Sequence, residues 1–428
     1  MIFNVNSFND GFEALISHIF YHLGRNFGSS FLFLFLVHFL WMFGIHGNNV
    51  MQGVAEKLFF YDETDIFCKP LFDVFCLEGG SGCTWCYILA VLIFVKHRRD
   101  KQLESLALLP SIFNINEIIV FGLPIIYNPV FVIPFICTPL IFFCTTMFWY
   151  KIGFLTTIQP VEWTTPILLS GYLGAGSWRG TFVQAINLVL GTAIYLPFVK
   201  LSEKLQKDTM NSKLDALVTL MQESEKTLSP INLTDGNGDL NIAAKYLADD
   251  LKKALAEKKI DVYYQMQYRN DGQCIGAESL LRWRNSNGQM VYPPLICQLA
   301  KESGFLSELE KYVFNKVFLE MRSLEESLGE NCQISINVTG STVQIPEFQD
   351  FLIDSMNRFH FPEGRVCVEI TEQDSIPLND DFIAQLTRIK KAGYMLAIDD
   401  FSMGHTSIAY LKTNLFDEVK LSSYTIAE

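Results

Sequence analysis

Five apolar stretches in the second half of the sequence end on side chains able to do chemistry: Glu278, Asn337, Glu369, the pair Asp399-Asp400, and Lys420. Core strands have no structural need for such groups, so a shared site is the expectation and solvated strand ends are the alternative. Carboxylate and amide oxygens are hard ligands that suit Mg2+ or Mn2+. Two such ions about 3.5–4 Å apart can activate a water and stabilise the leaving oxygen of a phosphodiester.

Pattern reading from about residue 244 supplies the elements that must position these groups. It predicts a helix over 247–258 and strands over 261–268 and 275–283, then helices near 293–303 and 307–327. Strand 332–338, helix 347–358, strand 365–370, helix 379–392 and strands 394–399 and 417–421 follow. Short apolar strands alternating with helices predict a parallel sheet and, in this order, a (β/α) barrel. Side chains at the C-terminal ends of barrel strands converge on one mouth, where Glu278, Asn337, Glu369, Asp399 and Lys420 would meet.

The first half is different in kind. Residues 1–200 carry 10 Lys/Arg and 12 Asp/Glu, against 23 and 34 in residues 201–428. Only the second half has the polarity of an ordinary water-soluble domain, and most of the net charge of −13 resides there. No long basic stripe offers a nucleic acid counterion-releasing contacts, so nucleic-acid binding is not expected. The ten cysteines show neither a disulfide framework nor zinc-ligand pairs. Cys83 and Cys86 directly follow Gly79-Gly80-Ser81-Gly82, where small residues serve helix packing rather than redox or metal chemistry. A disulfide between Cys68 and Cys76 is the less expected outcome for that loop.

Asp10 and Glu13 interrupt the region where a signal peptide would sit, so membrane insertion is expected to use internal segments. Crossing the hydrocarbon core takes roughly 20 apolar residues. The segments at about 28–45, 80–96, 128–149 and 182–199 qualify. Two more, about 105–127 and 158–178, are interrupted by Pro, Gly, Asn and Glu117 and predict re-entrant hairpins, with surface loops as the alternative. The cluster Lys96-His97-Arg98-Arg99 argues for a cytoplasmic loop. Two crossings later the chain is inside again, which places residues 201–428 in the cytoplasm. Residues 201–226 predict an amphipathic helix, a connector or dimer contact. The polar run from Ser229 to Asp239 predicts a flexible linker.

The motifs Gly44-Ile45-His46-Gly47, Gly79-Gly80-Ser81-Gly82, Phe113-Asn114-Ile115-Asn116-Glu117, Phe121-Gly122-Leu123-Pro124, Trp163-Thr164-Thr165-Pro166 and Ser177-Trp178-Arg179-Gly180 occur in this order. Over about 28–200 the sequence resembles the C-terminal half of a phosphotransferase-system sugar permease, the enzyme IIC component of the lactose, cellobiose and chitobiose type. The family has further helices ahead of the Gly-Ile-His-Gly segment, and Ile118 stands where it usually has Pro. The resemblance implies a disaccharide site. A sugar needs hydrogen-bonding groups for its hydroxyls, which His46, Asn116 and Glu117 could supply, and aromatic faces, which Trp41 and Trp163 could supply. The alternative for Glu117 is a carboxylate paired with a neighbouring helix. The resemblance also implies an inner-membrane location in a bacterium, lipid contact, a homodimer and a IIB-component partner.

The second half carries Tyr264-Gln265, Ala277-Glu278-Ser279-Leu280-Leu281-Arg282-Trp283, Ser335-Ile336-Asn337-Val338, Val368-Glu369-Ile370-Thr371-Glu372, Ala397-Ile398-Asp399-Asp400-Phe401 and Phe416-Asp417-Glu418-Val419-Lys420. Over about 247–428 it resembles the EAL family of cyclic-di-GMP phosphodiesterases, whose product is linear pGpG. The resemblance implies that Glu278, Asn337, Glu369, Asp399 and Asp400 are metal ligands and that Lys420 orients the attacking water. Arg282 would hold a phosphate, Gln265 would contact the ligand, and Glu372 would brace the loop after Asp400. Departures are Ser279 for Ala, Met266 for Pro, Ser422 for Asp, and Ser402-Met403 in a loop that usually reads Gly-Thr. The resemblance extends over six of the barrel's eight strands, which predicts an incomplete barrel with open edges.

The sequence therefore predicts a multidomain chain: an α-helical membrane domain over 1–200, a helix and linker over 201–243, and an α/β, TIM-barrel-like EAL domain over 244–428. Its expected activity is binding and hydrolysis of cyclic di-GMP, with the permease part as anchor or sugar sensor. Two alternatives stand beside it, a catalytically inactive binding or regulatory protein or fragment, and a sugar transporter component.

Overall fold

The computed structural model describes residues 8–94, 101–122, 125–227, 229–328, 332–371, 379–401 and 413–421. The chain divides into two units, Met1–Lys207 and Asp208–Glu428.

In the first unit, the Asn26 carboxamide accepts from Ser29 N at 3.0 Å while Ser29 Oγ accepts from Asn26 N at 3.1 Å. This reciprocal capping starts the Phe27–Trp41 helix. Gly44, at φ +73°, ends it by letting Gly44 N and Ile45 N donate back to Trp41 O and Leu40 O. With 15 residues the helix is about 22 Å long, so the segment expected to span over 28–45 is shorter than the ~30 Å hydrocarbon core. Among the described residues, three helices are long and apolar enough to cross a membrane: Lys69–Phe94, Pro129–Lys151 and Trp178–Thr227.

The first of the three is broken between Cys76 and Thr84, where Gly79, Gly80 and Gly82 sit at φ +83°, +86° and +76°. Close approach demands the last of these glycines: a Cβ on Gly82 would lie 2.2 Å from the Phe135 ring. Gly82→Ala is therefore expected to pry this segment from the Pro129–Lys151 helix and to cost ~2–4 kcal/mol. A lower thermal midpoint of the detergent-solubilised chain would show it. Cys83 and Cys86 are buried and free, in keeping with a packing role, and Cys68 and Cys76 form no disulfide. The two interrupted stretches are broken as expected. One holds helix Lys101–Ile112, Asn114 at φ +63° and a π-turn at Ile118–Gly122; the other holds only the short helix Leu169–Ala175. The Lys96-His97-Arg98-Arg99 cluster lies outside the described residues.

Trp178–Thr227 is one continuous helix of 50 residues, so the expected span at 182–199 and the amphipathic helix at 201–226 are a single element. In the second unit its Leu214 and Leu217 are buried beside Leu247, Leu251, Trp283, Leu295 and Leu299. The polar run from Ser229 to Asp239 is tied down, contrary to the flexible linker expected. Glu302 accepts from Leu233 N at 2.9 Å and from Thr234 N at 2.7 Å, and Asn241 Nδ2 donates to Leu233 O at 3.0 Å. Composition alone could not show a carboxylate about seventy residues away that satisfies these amides. Glu302→Ala, which leaves two amides without their acceptor, is expected to destabilise the second unit by ~1–3 kcal/mol. Chemical denaturation of the variant would read the loss.

The second unit builds a six-stranded sheet in the order β1 (Asp261–Tyr268), β2 (Cys274–Arg282), β3 (Gln333–Val338), β4 (Val366–Thr371), β5 (Met395–Phe401) and β6 (Glu418–Leu421). Neighbours from β2 to β6 run parallel, but β1 and β2 are antiparallel. The five residues 269–273 form a hairpin, with Gly272 at φ +82°. A parallel crossover needs a dozen or more residues, so the wholly parallel sheet expected from the alternation fails at this link. Ile334, Ile336, Val366, Val368, Leu396 and Ile398 bury one face of the strands against helices Leu306–Leu328, Pro346–Phe359 and Asp380–Lys391.

Strands in a sheet stand about 4.8 Å apart, so β2 and β6 in a flat sheet would be about 19 Å apart, beyond the reach of any side-chain pair. Lys420 Nζ on β6 nevertheless lies 2.6 Å from Glu278 Oε2 on β2. The sheet must curl, as a barrel wall does, and it curls around the polar residues.

Candidate functional site

Parallel register explains the meeting. Glu278 pairs with Ser335 on β3, Asn337 with Glu369 on β4, and Thr371 with Asp399 on β5. Asn337 Nδ2 donates to Glu278 Oε1 at 2.9 Å, and Lys420 Nζ bridges Glu278 Oε2 at 2.6 Å and Glu369 Oε1 at 2.5 Å. Oxygens of Glu278, Glu369 and Asp399 lie within 4.8 Å of one another. Glu369 is fully buried. Burial pushes its carboxyl above the ordinary value, with Lys420 and Ser335 acting against the rise. For Lys420, burial works to lower the ammonium's pKa, but its bonds to Glu278 and Glu369 outweigh it and leave the value raised.

A divalent cation fits this set on two counts. Its donors are hard oxygens from three carboxylates and an amide. Moreover, Asn337 Oδ1 and Glu369 Oε2 are buried without a hydrogen bond of good geometry, and such bare acceptors are costly unless something binds them. The ammonium of Lys420 already supplies one positive charge here: the barrel pattern placed it at the same mouth as Glu278 and Glu369, and the structure adds that it stands between them as their counter-charge across 142 residues.

Gln265 stands directly across from Glu278 in the β1–β2 register and is exposed. Arg282 ends β2 half-buried, its guanidinium 5.8 Å from the centre of the Tyr263 ring and Nη1 donating to Leu281 O at 2.8 Å. Tyr263 was missed; its signal was an aromatic two residues before Gln265, on the same strand face. Asp400 lies in β5 but its side chain is outside the described residues, and Glu372 is outside them altogether.

In the first unit, the structure splits the expected sugar-binding residues. The Trp41 and His46 rings pack at a tilt with centroids 4.4 Å apart, and Phe121 lies 5.9 Å from Trp41. Asn116 is buried and donates to Ser81 O at 2.8 Å and Thr84 Oγ1 at 3.2 Å, which makes it a brace for the glycine-rich break. Glu117 is exposed, as is Trp163. Asn114, which sequence reading passed over, ties the motifs together: its Oδ1 accepts from Gly79 N at 2.8 Å and its Nδ2 donates to Trp163 O at 2.6 Å. Gln184 and Asn187 were missed as well. Gln184 accepts from Leu168 N and Gly171 N and donates to Val74 O, and Asn187 donates to Glu78 Oε1 at 3.0 Å. Their signal was polarity inside an apolar segment, where backbone that leaves the helix needs partners.

The two units so described are an apolar helical domain broken at a glycine-rich segment and an α/β domain with an acidic rim. Each has counterparts among known proteins. Residues 1–139 match the family profile "Phosphotransferase system, EIIC", and residues 248–428 match that of the EAL domain. The chain thus joins a first part similar to the one family to a second part similar to the other. Among curated relatives, the oligo-beta-mannoside-specific EIIC component of Bacillus subtilis is 34% identical over 199 residues, 43% of this chain and 45% of that protein. The probable cyclic di-GMP phosphodiesterase PdeG of Escherichia coli is 26% identical over 172 residues, 40% of this chain and 34% of that protein. The crystal structure of the transporter ChbC, the IIC component of the N,N'-diacetylchitobiose-specific phosphotransferase system, shares 33% identity and a TM-score of 0.41 over 47% of this chain and 50% of that one. The chain spans about half the length of the EIIC relatives it matches.

Proposed function

We propose that the second unit holds Mg2+ or Mn2+ on Glu278, Asn337, Glu369 and Asp399, joined by Asp400, and hydrolyses cyclic di-GMP to linear pGpG. The observation that carries this is the gathering of oxygens from four strands around two buried acceptors that lack hydrogen bonds. Bound there, the metal supplies Lewis acidity for an attacking water and for the leaving oxygen. Lys420 holds its ammonium beside the carboxylates, where it orients that water and offsets phosphate charge. Arg282 takes a phosphate through its guanidinium, Gln265 contacts the ligand from across the strand pair, and Glu372 braces the loop after Asp400.

In this reading the first unit anchors the chain by several crossings in a bacterial inner membrane, in contact with lipid, and residues 201–428 face the cytoplasm. Trp41, His46, Glu117 and Trp163 contribute to a site for a disaccharide such as cellobiose, chitobiose or lactose, with Asn116 serving that site as the brace of its glycine-rich break, which makes the unit a sugar sensor. A homodimer and a IIB-component partner complete the proposal.

The test is production of pGpG by the full chain in detergent, assayed with Mg2+, with Mn2+ and with chelator. Metal-dependent product supports the enzyme, and no metal-dependent product overturns it. Cyclic di-GMP bound without turnover would favour a second reading, a binding module. That reading draws on Lys420 already standing between Glu278 and Glu369 as their counter-charge. Disaccharide binding lost in Glu117→Ala would support the sugar site, whereas equal binding by both chains would count against Glu117.

A further inference from the structure

Cys274 and Cys332 take no part in the site, yet the sheet brings them together. In the β1–β2 pair, Gln267 faces Gly276 and Tyr268 faces Cys274, so Ile275 is left over as a bulge. Plain alternation would put Cys274 on the strand face of Gly276 and Glu278. The extra residue turns it to the other face. On β3, Gln333 is the register partner of Gly276. Partners in register share a face, so Cys332, one residue earlier, lies on the opposite face, to which Cys274 has been turned. The geometry agrees: Cys332 Sγ is 3.9 Å from Cys274 O. Neither is in a disulfide; Cys274 is half-buried and Cys332 buried.

We propose that Cys274 and Cys332 are an oxidisable dithiol that a hydroperoxide closes to a disulfide. The half-exposed Cys274 sulfur attacks one peroxide oxygen, the O–O bond breaks, and Cys274 becomes a sulfenic acid as the other oxygen takes up the thiol's proton and leaves as water or alcohol. Cys332 sulfur then attacks the Cys274 sulfur, the S–O bond breaks and its oxygen leaves as water. Two thiols have been oxidised and one peroxide reduced. The bond joins positions 58 residues apart and staples β2, four residues before Glu278, to the residue that leads into β3, five residues before Asn337. A cross-link over so long a loop removes much freedom from the unfolded chain.

The experiment treats the folded full chain in detergent with limiting hydrogen peroxide, blocks residual thiols and digests with trypsin. The expected result is peptide 270–282 joined to peptide 323–358, released by reductant, with the disulfide formed before oxidation of the exposed Cys144. In Cys332→Ser, Cys274 is expected to persist as a sulfenic acid that dimedone traps. Both thiols remaining reduced while Cys144 oxidises would overturn the proposal, and so would either one pairing with a different cysteine. The unsubstituted chain distinguishes these outcomes even if the serine variant fails to fold.

Discussion

Glu369→Gln is expected to lower metal-dependent turnover of cyclic di-GMP by ~10³-fold, because loss of metal-held charge stabilisation is worth several kcal/mol at about 1.4 kcal/mol per factor of ten. Calorimetric titration with Mg2+ should weaken in parallel. The same substitution separates binding from stability through pH. Burial raises the Glu369 carboxyl in the folded chain, so folding favours its protonated form. That contribution is fully present below the unfolded value of about 4.3 and is lost as pH rises through the raised folded value. Glutamine carries no proton to lose. The unsubstituted chain should therefore lose stability across that window while the variant loses less, as denaturation midpoints at a series of pH values would show. Equal pH slopes would mean that the fold does not raise the Glu369 carboxyl.

Lys420→Met is expected to lower the thermal midpoint of the second unit by roughly 5–10 °C in chelator. Removing the ammonium leaves Glu278 and the fully buried Glu369 facing each other without their counter-charge. Breaking a buried pair costs about 3–5 kcal/mol, and we discount this to ~2–3 kcal/mol because the Lys420 and Glu278 side chains keep 22% and 21% of their exposure. A divalent cation at the same carboxylates should replace the missing charge. Mg2+ at about a hundred times its Kd would return ~2.7 kcal/mol, so the variant's midpoint should rise with Mg2+ more than that of the unsubstituted chain, where metal competes with the ammonium. Equal Mg2+ shifts in both would show that the ion and Lys420 do not share the site. Turnover should fall in the variant even where stability is restored, because Lys420 is the proposed orienting group for the water.

What the sequence determined by itself was the class of each half and the type and order of the second half's elements. Runs such as Val366–Thr371 and Met395–Phe401 bury residues on both faces, and helices such as Asp380–Lys391 carry a single apolar stripe; those patterns are local and survive without knowledge of neighbours. The ligand types were legible for the same reason, since Glu369 or Asp399 ending an apolar strand contradicts its surroundings. Tertiary structure decided three other matters. The strand order placed Lys420 at the same mouth as the carboxylates, but only the curl of the sheet set its ammonium between Glu278 and Glu369, a contact across 142 residues. The hairpin at 269–273 set β1 antiparallel, and the Ile275 bulge chose the face of Cys274, because loop length and one extra residue act on register rather than on strand propensity. In the apolar half, hydropathy marked where helices run but is blind to direction. Only packing made Asn116 a buried brace, left Glu117 exposed, and gave Asn114 and Gln184 the backbone groups freed by the glycine break and the unwound loops, since polar groups sealed among apolar helices bond wherever the fold puts a partner.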